Sequence, residues 1–355
     1  MMMRLCCAIL FVLLGTTFSL AQSDANIAAN LAPITAENVN QLETLLTIEL
    51  ADDFIAMQLT DEVFMWITLY GVLHRLDLAT GEQTELELPY SMSLGTFSND
   101  GALFACNCPY PYPLLWDLQV INVVTGEVSI VERESAFFEV AFNQTGDLLA
   151  TTSTPSRSNR DGGVSVWDLE TQTTILNFDN ERINANLAFS PNGENLALSF
   201  GADITVLDLT NNFHSFSVFQ ELCFPCKIGG LFFYVSDLVF SHDSTRVASM
   251  SPDGFVWIWD AGSGRLEHLL RDGTMSVDPF GGKFSSRNSD ILFSPQDDFI
   301  ITANGEEMRL WSVSDGDLLR TIYEDTSRIA FNPAGTLMAT TDGENSLTLW
   351  GVPEN

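Results

Sequence analysis

Apolar and polar residues alternate along this chain in short runs of two kinds that follow one another. The first kind ends on Phe, a small polar residue and a tight turn. Its copies are Phe97-Ser98-Asn99-Asp100-Gly101, Phe142-Asn143-Gln144-Thr145-Gly146, Phe189-Ser190-Pro191-Asn192-Gly193, Phe240-Ser241-His242-Asp243, Phe293-Ser294-Pro295-Gln296-Asp297 and Phe331-Asn332-Pro333-Ala334-Gly335. Asn, Asp and Gly tolerate the positive φ of hairpin turns, so each copy predicts two antiparallel strands joined tightly. The second kind closes on a large apolar residue, usually followed by Asp. Its best copies are Val164-Ser165-Val166-Trp167-Asp168-Leu169 and Val256-Trp257-Ile258-Trp259-Asp260. Leu310-Trp311-Ser312-Val313 and Leu347-Thr348-Leu349-Trp350 follow it, and Leu76-Asp77, Ile121-Asn122 and Leu207-Asp208 are weaker versions. Turns such as Ala79-Thr80-Gly81-Glu82 and Val124-Thr125-Gly126-Glu127 then lead into one more strand. The period is two throughout, which predicts four short strands per unit and almost no helix.

The closing residues Leu76, Ile121, Trp167, Leu207, Trp259, Trp311 and Trp350 lie 39 to 52 residues apart, a spacing that suits four-stranded propeller blades with loop insertions. The last unit, Ile329 to Val352, has room for three strands, whereas Ile34 to Leu50, with Leu42, Leu45, Leu46 and Ile48, belongs to no unit. Placed as the outer strand of the seventh blade, that segment closes the ring and removes an exposed edge. The predicted fold is all-β: a seven-bladed β-propeller of four-stranded antiparallel blades over residues 34–355, closed by the N-terminal strand.

The Phe-Ser-Pro-Asn-Gly element at Phe189 and the Val-x-Val-Trp-Asp-Leu element at Val164 resemble the WD repeat, in its exported, bacterial-type form, and the resemblance covers about residues 34–355. It implies assembly and recognition in place of chemistry. Two departures matter. Blade 1 has only Met57-Gln58-Leu59-Thr60-Asp61 where a Phe-turn is expected, and the family's Gly-His dipeptide is absent. The His-Ser-Trp-Asp hydrogen-bond network that goes with that dipeptide cannot form in that version, so the blades are expected to be held by their apolar part.

Of 355 residues, 46% are hydrophobic and 17% charged, enough for a large core. The 47 Asp and Glu against 15 Lys and Arg give a net charge of -32, which repels phosphate backbones and anionic lipid, so nucleic acid and membrane surfaces are poor partners. The acids form no block, which reads as a solvated outer surface. Arg4, the apolar stretch Leu5 to Leu14 and Ser19-Leu20-Ala21 read as a secretory signal over residues 1–21, followed by a linker over 22–33. The apolar stretch is shorter than the roughly 20 residues of a membrane span. The expectation is an exported monomer, extracellular or periplasmic, without membrane insertion after cleavage. Four cysteines then remain, Cys106, Cys108, Cys223 and Cys226, in two close pairs that suggest local disulfides; unpaired thiols and a four-thiolate zinc site are the alternatives.

Trp167, Trp259, Trp311 and Trp350 share one repeat position and read as packing between blades, and Asp77, Asp168, Asp208 and Asp260 as turn-capping acceptors. His74, His214, His242 and His268 have no metal-ligand spacing. The chain contains no His-Glu-x-x-His, Gly-x-Ser-x-Gly, phosphate-cradling Gly loop or twelve-residue calcium loop. No catalytic, metal or cofactor-binding residue is therefore assigned. Two enlarged loops, residues 106–116 and 219–234, are stiffened by Pro and rich in aromatics, so Tyr110, Tyr112, Trp116, Phe224 and Phe232 are partner-binding candidates, unless the loops pack on each other as a lid. The expected function is that of a non-catalytic scaffold binding a protein or glycan. The alternative is a propeller enzyme, such as a metal-dependent hydrolase, which would need carboxylates or His from at least three blades at one height in the central channel.

Overall fold

Seven antiparallel sheets follow one another along the chain. The computed structural model describes residues 27–49, 54–88, 92, 94–109, 116–132, 137–153, 163–179, 186–200, 203–211, 215–219, 235–251, 255–271, 290–303, 306–342 and 346–354. Blade 1 comprises Phe54–Leu59, Val63–Thr68, Val72–Asp77 and Gln83–Glu87, and blade 2 Gly95–Phe97, Leu103–Pro109, Trp116–Asn122 and Val128–Glu132. Blade 3 is Phe137–Phe142, Leu148–Ser153, Gly163–Asp168 and Thr173–Asp179, and blade 4 Leu187–Phe189, Asn195–Phe200, Asp203–Asp208 and Ser215–Phe219. Asp237–Phe240, Arg246–Met250, Val256–Asp260 and Leu266–Leu270 form blade 5, and Asp290–Phe293, Phe299–Ala303, Met308–Ser312 and Leu318–Ile322 blade 6. Arg328–Phe331, Leu337–Thr341 and Ser346–Pro353 are the blade 7 strands that come from the C-terminal unit. The first strands of successive blades touch in a closed cycle, blade 7 meeting blade 1, so they line a central channel. The fold is the predicted all-β, seven-bladed propeller.

The ring closes through the N-terminus. Glu43–Glu49 pairs antiparallel with the third strand of blade 7, from Glu43 opposite Gly351 to Glu49 opposite Ser346. Leu31–Ala32, in the stretch read as linker, continues along the same strand opposite Pro353 and Val352, and the Ile27 N–H donates to the Leu78 carbonyl at 3.0 Å. The two chain ends are thereby bound into one sheet, leaving the C-terminal strand no free edge.

Middle strands explain the sequence pattern. The second strands of blades 1, 6 and 7 are buried at every position, because a blade's middle strands are covered on both faces by neighbours. Such strands read as continuous apolar runs, Val63-Phe64-Met65-Trp66-Ile67 for example. At the seam of blades 1 and 7, Phe64, Trp66 and Leu76 pack with Leu337, Leu347 and Leu349.

In the Phe-turns the residue four after Phe takes positive φ: Gly101, Gly146, Gly193 and Gly335 at 68° to 75°, and Ser244 at 62° and Asp297 at 57° where no glycine stands. The residue after Phe caps the turn, as Ser190 does by accepting the Asn195 N–H at 2.8 Å and donating to Asn192 Oδ1 at 2.6 Å. In blade 1, Leu59 fills the Phe position and is fully buried, with a turn shorter by two residues.

The expectation of blades held by apolar contacts alone needs correction. Four indole N–H groups donate to hydroxyls on the second strand of their own blade: Trp167 to Thr151 at 3.4 Å, Trp259 to Ser249 at 3.1 Å, Trp311 to Thr302 at 3.2 Å and Trp350 to Thr340 at 2.8 Å. Burial gives these bonds their weight, since an indole N–H left unpaired in a core costs about 1–3 kcal/mol, a cost that the buried Trp66 of blade 1, without a partner for its N–H, bears. Cys106 and Cys108 also depart from expectation. Both lie within the second strand of blade 2 instead of its loop, fully buried on the side facing blade 1, and are joined by a disulfide. Among the described residues no helix is long and apolar enough to cross a membrane.

Candidate functional site

The residue three before each closing Phe stands at one level of the ring. Counting by blade, these are Leu94, Glu139, Asn186, Asp237, Asp290 and Arg328, with Ala56 three before Leu59 in blade 1. The register is common to them: Glu139 lies opposite Thr152, Asp237 opposite Met250, Asp290 opposite Ala303 and Arg328 opposite Thr341. A cavity of about 230 Å³ is lined by five of the seven, Ala56, Leu94, Glu139, Asp290 and Arg328. Carboxylates from blades 3 and 6 thus share the cavity with one arginine, and Asp237 of blade 5 feels the charges of all three, while the blade 1 and blade 2 side is apolar.

Several of these side chains reach the next blade. Asn186 Nδ2 donates to the Val235 carbonyl at 2.9 Å. Asp237 Oδ2 accepts the Ile291 N–H at 3.1 Å, and Asp290 Oδ2 accepts the Ile329 N–H at 2.7 Å. Burial pushes the Glu139 carboxyl up to about 7, helped by the charge of Asp290 and opposed by Arg328. Asp237 is pushed well above the ordinary carboxylate range by burial and by the charges of Asp290 and Glu139. Asp290 also rises through burial, although Arg328, the Ile329 and Ile291 N–H groups and a hydrogen bond with Asp237 pull the other way. Two carboxyl groups share a hydrogen bond only if one carries a proton. Among the described residues no group of three or more His, Cys, Asp or Glu is arranged to hold a metal ion.

A second feature lies on the outside. Trp259, Trp311 and Trp350 are buried, whereas Trp167 is only half-buried. Trp167 lines a groove of about 300 Å³ between blades 2 and 3, together with Leu103, Val120, Ile130, Val131 and Leu169. Ile130, which lines the groove, is 42% exposed, and Val128 (39%) and Ile175 (41%) are further exposed apolar residues of the two outer strands. Asp168 stands in the groove, the exposed Glu170 follows it by two residues, and the exposed Glu127 precedes the groove-lining Ser129 to Val131 by two. Among the described residues, the outer strand Val128–Glu132 pairs with Trp116–Asn122 and with no other strand.

Of the residues singled out from sequence, Tyr110, Tyr112, Phe224, Phe232, Cys223, Cys226 and His214, and the expected signal over 1–21, lie outside the described residues. Trp116 begins the third strand of blade 2 opposite Pro109, its side chain being outside the description. The closing Asp residues sit in turns as acceptors: Asp77 from Thr80 N–H at 2.8 Å, Asp168 from Thr171 at 2.8 Å, Asp208 from Asn211 at 3.1 Å and Asp260 from Ser263 at 2.8 Å. His74 stacks on Trp66 with ring centroids 4.9 Å apart and lies 3.2 Å from Glu85. Sequence reasoning missed the channel ring. Its signal was present, because counting back three from each Phe yields Glu139, Asp237 and Asp290 in one column.

No family model matches the chain. It is similar to transducin beta-like protein 2 of Homo sapiens, 24% identical over 217 residues that cover 59% of this chain and 46% of that protein. The Mus musculus protein of the same name is 24% identical over 191 residues, 52% of this chain and 40% of its own length. The chain therefore spans less than half the length of these curated relatives. Taken with the seven-bladed ring, the similarity supports a WD-repeat type of propeller.

Proposed function

We propose that this chain is an exported, non-catalytic recognition platform that takes a protein partner in the groove between blades 2 and 3. The observation that carries the reading is the half-buried Trp167, set among Leu103, Val120 and Ile130 where the equivalent tryptophans of blades 5, 6 and 7 are covered. The side of Val128–Ile130 turned away from Trp116–Asn122 would offer backbone N–H and C=O groups to an extended segment, and alternate side chains of that segment would enter the groove. Asp168, Glu127 and Glu170, on a chain of net charge -32, favour Lys or Arg flanking the apolar residues of the partner. Export draws on Arg4, Leu5 to Leu14 and Ser19-Leu20-Ala21, and on the Cys106–Cys108 disulfide, a bond favoured outside the reducing cytosol. The place of action on this reading is the cell envelope or the extracellular space.

Selection of a displayed peptide library against the whole chain tests the groove. Extended peptides with apolar and basic residues are expected, and Ile130→Asp should weaken their binding at least about tenfold without altering the melting temperature. Equal binding by wild type and Ile130→Asp rejects the groove, and selection of glycans over peptides on parallel arrays rejects a protein partner. A second reading, a hydrolase working by general acid and base in the channel, is favoured by the meeting of Glu139, Asp237 and Asp290 at one level. A hydrolytic activity lost in Glu139→Gln would support it.

A further inference from the structure

We propose that the part of the partner seated in the groove between blades 2 and 3 is a short helical turn built like this chain's own N-terminal strap, with aliphatic side chains at the same spacing and a Lys or Arg at its end. The inference rests on the groove reading above; it keeps the apolar and basic character of the partner and specifies the shape that enters. The ring supplies the template. Its strap, Ile34 to Leu42, lies in the matching groove between blades 6 and 7, where Ile34, Val39 and Leu42 are buried in one cluster with Phe299, Leu310, Trp350 and Val352. Glu37, Asn40 and Gln41, on the other side of the strap, are exposed. Val39–Gln41 is a single 3-10 turn that holds its own shape, the Val39 N–H donating to the Thr35 carbonyl at 3.1 Å and the Thr35 N–H to Asn38 Oδ1 at 2.8 Å.

Register fixes the correspondence between the two grooves. Leu103 and Phe299 each begin the second strand of their blade with the N–H on the turn-capping serine, Ser98 and Ser294. Val120 lies opposite Ser129 as Leu310 lies opposite Arg320. Asp168 lies opposite Leu148 as Gly351 lies opposite Leu337, which sets Trp167 and Leu169 at the positions of Trp350 and Val352. Leu103, Val120, Trp167 and Leu169, which line the groove of about 300 Å³, therefore repeat the four residues that the strap packs against. Their cover differs: Phe299, Trp350 and Val352 are fully buried, whereas Leu103, Trp167 and Leu169 are half-buried. Aliphatic side chains arriving as those of the strap do would bury that remaining apolar surface.

The polar differences between the grooves define the rest of the partner. Arg320 Nη1 donates to the carbonyls of Val39 at 2.6 Å and Leu42 at 3.1 Å, and Asp298 Oδ2 accepts the Ala36 N–H at 2.7 Å. Blade 2 has Ser129 in place of Arg320, and Ala102, the residue before Leu103, in place of Asp298. The last carbonyls of a helical turn need donors, and a Lys or Arg at the end of the turn can supply them where the ring does not. The exposed Glu127 and Glu170 favour the same cation. The partner turn thus carries its aliphatic residues at the spacing of Ile34, Val39 and Leu42 and brings the positive charge that Arg320 provides for the strap.

Titration of the full chain with a fluorescent peptide of residues 33–43, read by anisotropy, tests this. The peptide carrying Gln41→Lys should bind about tenfold more tightly than the unmodified one, and Val39→Ser in that peptide should abolish binding. Ser129→Arg, which restores the missing cation at an exposed position of the ring, should raise the affinity for the unmodified peptide by about the same factor. This gain does not depend on a variant that weakens the fold. Equal binding of the three peptides, or no gain in Ser129→Arg, overturns the turn as occupant, while the groove reading stands if displayed extended peptides still lose affinity on Ile130→Asp. Indifference of every peptide to Ile130→Asp rejects the groove reading and this inference together. Sedimentation showing that the full chain pairs through its own strap would make a second copy the occupant and also overturns the proposal.

Discussion

Asp297 Oδ1 accepts the backbone N–H of His242 at 2.8 Å, so the turn of blade 6 caps the matching turn of blade 5. Its other oxygen accepts the Asp243 N–H at 2.8 Å, and His242 Nδ1 lies 3.0 Å from Oδ1. Asp297 does this from φ 57°, at the position where four other blades place glycine. Glycine there would relieve about 0.5–1 kcal/mol of conformational cost. It would also remove the acceptors of two backbone donors and a histidine, each bond contributing about 1 kcal/mol. Asp297→Gly is therefore expected to destabilise by roughly 2 kcal/mol in urea unfolding, and a more stable variant would show that the turn-to-turn contact contributes little.

The buried Trp350 and Thr340 form the shortest of the four indole–hydroxyl bonds, 2.8 Å. Thr340→Val leaves the indole N–H without its acceptor, and Trp350→Phe leaves the hydroxyl without its donor; each should cost roughly 1–3 kcal/mol. The double variant should cost less than the sum, because both ends of one bond have gone. Additive costs in the same unfolding assay would mean that the bond is incidental to packing.

Periodicity made the scaffold legible. The Phe-turns and the closing residues located all seven blades, and the surplus apolar segment containing Leu46 and Ile48 pointed to the strand that pairs with Leu347 to Leu349. Polar detail was harder to read, because it depends on which side chains the folded blade turns towards each other. Thr340 precedes Trp350 by ten residues and Thr151 precedes Trp167 by sixteen, since hairpin length varies, so no fixed spacing reveals their bond. The groove was hidden for a related reason: Trp167 and Trp311 look alike in sequence, and only the fit of neighbouring blades leaves one half-covered. Cys106 and Cys108 read as loop residues because the prolines after them mask the end of a strand reaching Pro109.

Closure of the ring can be tested by removing its N-terminal strand. Glu43–Glu49 covers the edge of the last strand, and Leu45, Leu46 and Ile48 pack against the core shared by blades 1 and 7. Deleting residues 34–50 exposes that edge together with Leu347 and Leu349, so a large drop in melting temperature and a tendency to associate through the open strand are expected. An unchanged melting curve would falsify the closure.

A second set of carboxylates should oppose the channel on the acid side. Asp147 is held below the usual carboxylate range by hydrogen bonds from the Thr145 hydroxyl and the Asn143 amide, and Asp260 by the hydroxyl and N–H of Ser263. Such groups add stability above their unfolded value of about 4 and lose it as pH falls through their lower folded values. The channel acids act in the reverse direction at higher pH, so the stability profile should peak in mildly acidic solution. Both turns are mostly exposed and screened by water, which makes each contribution small and their sum the measurable quantity. Replacing Asp147 and Asp260 together by Asn should flatten the limb between about pH 2 and about pH 4 in urea unfolding while leaving the alkaline limb as it was. A change in the alkaline limb of this variant would mean that the two sets of acids are coupled through the blades.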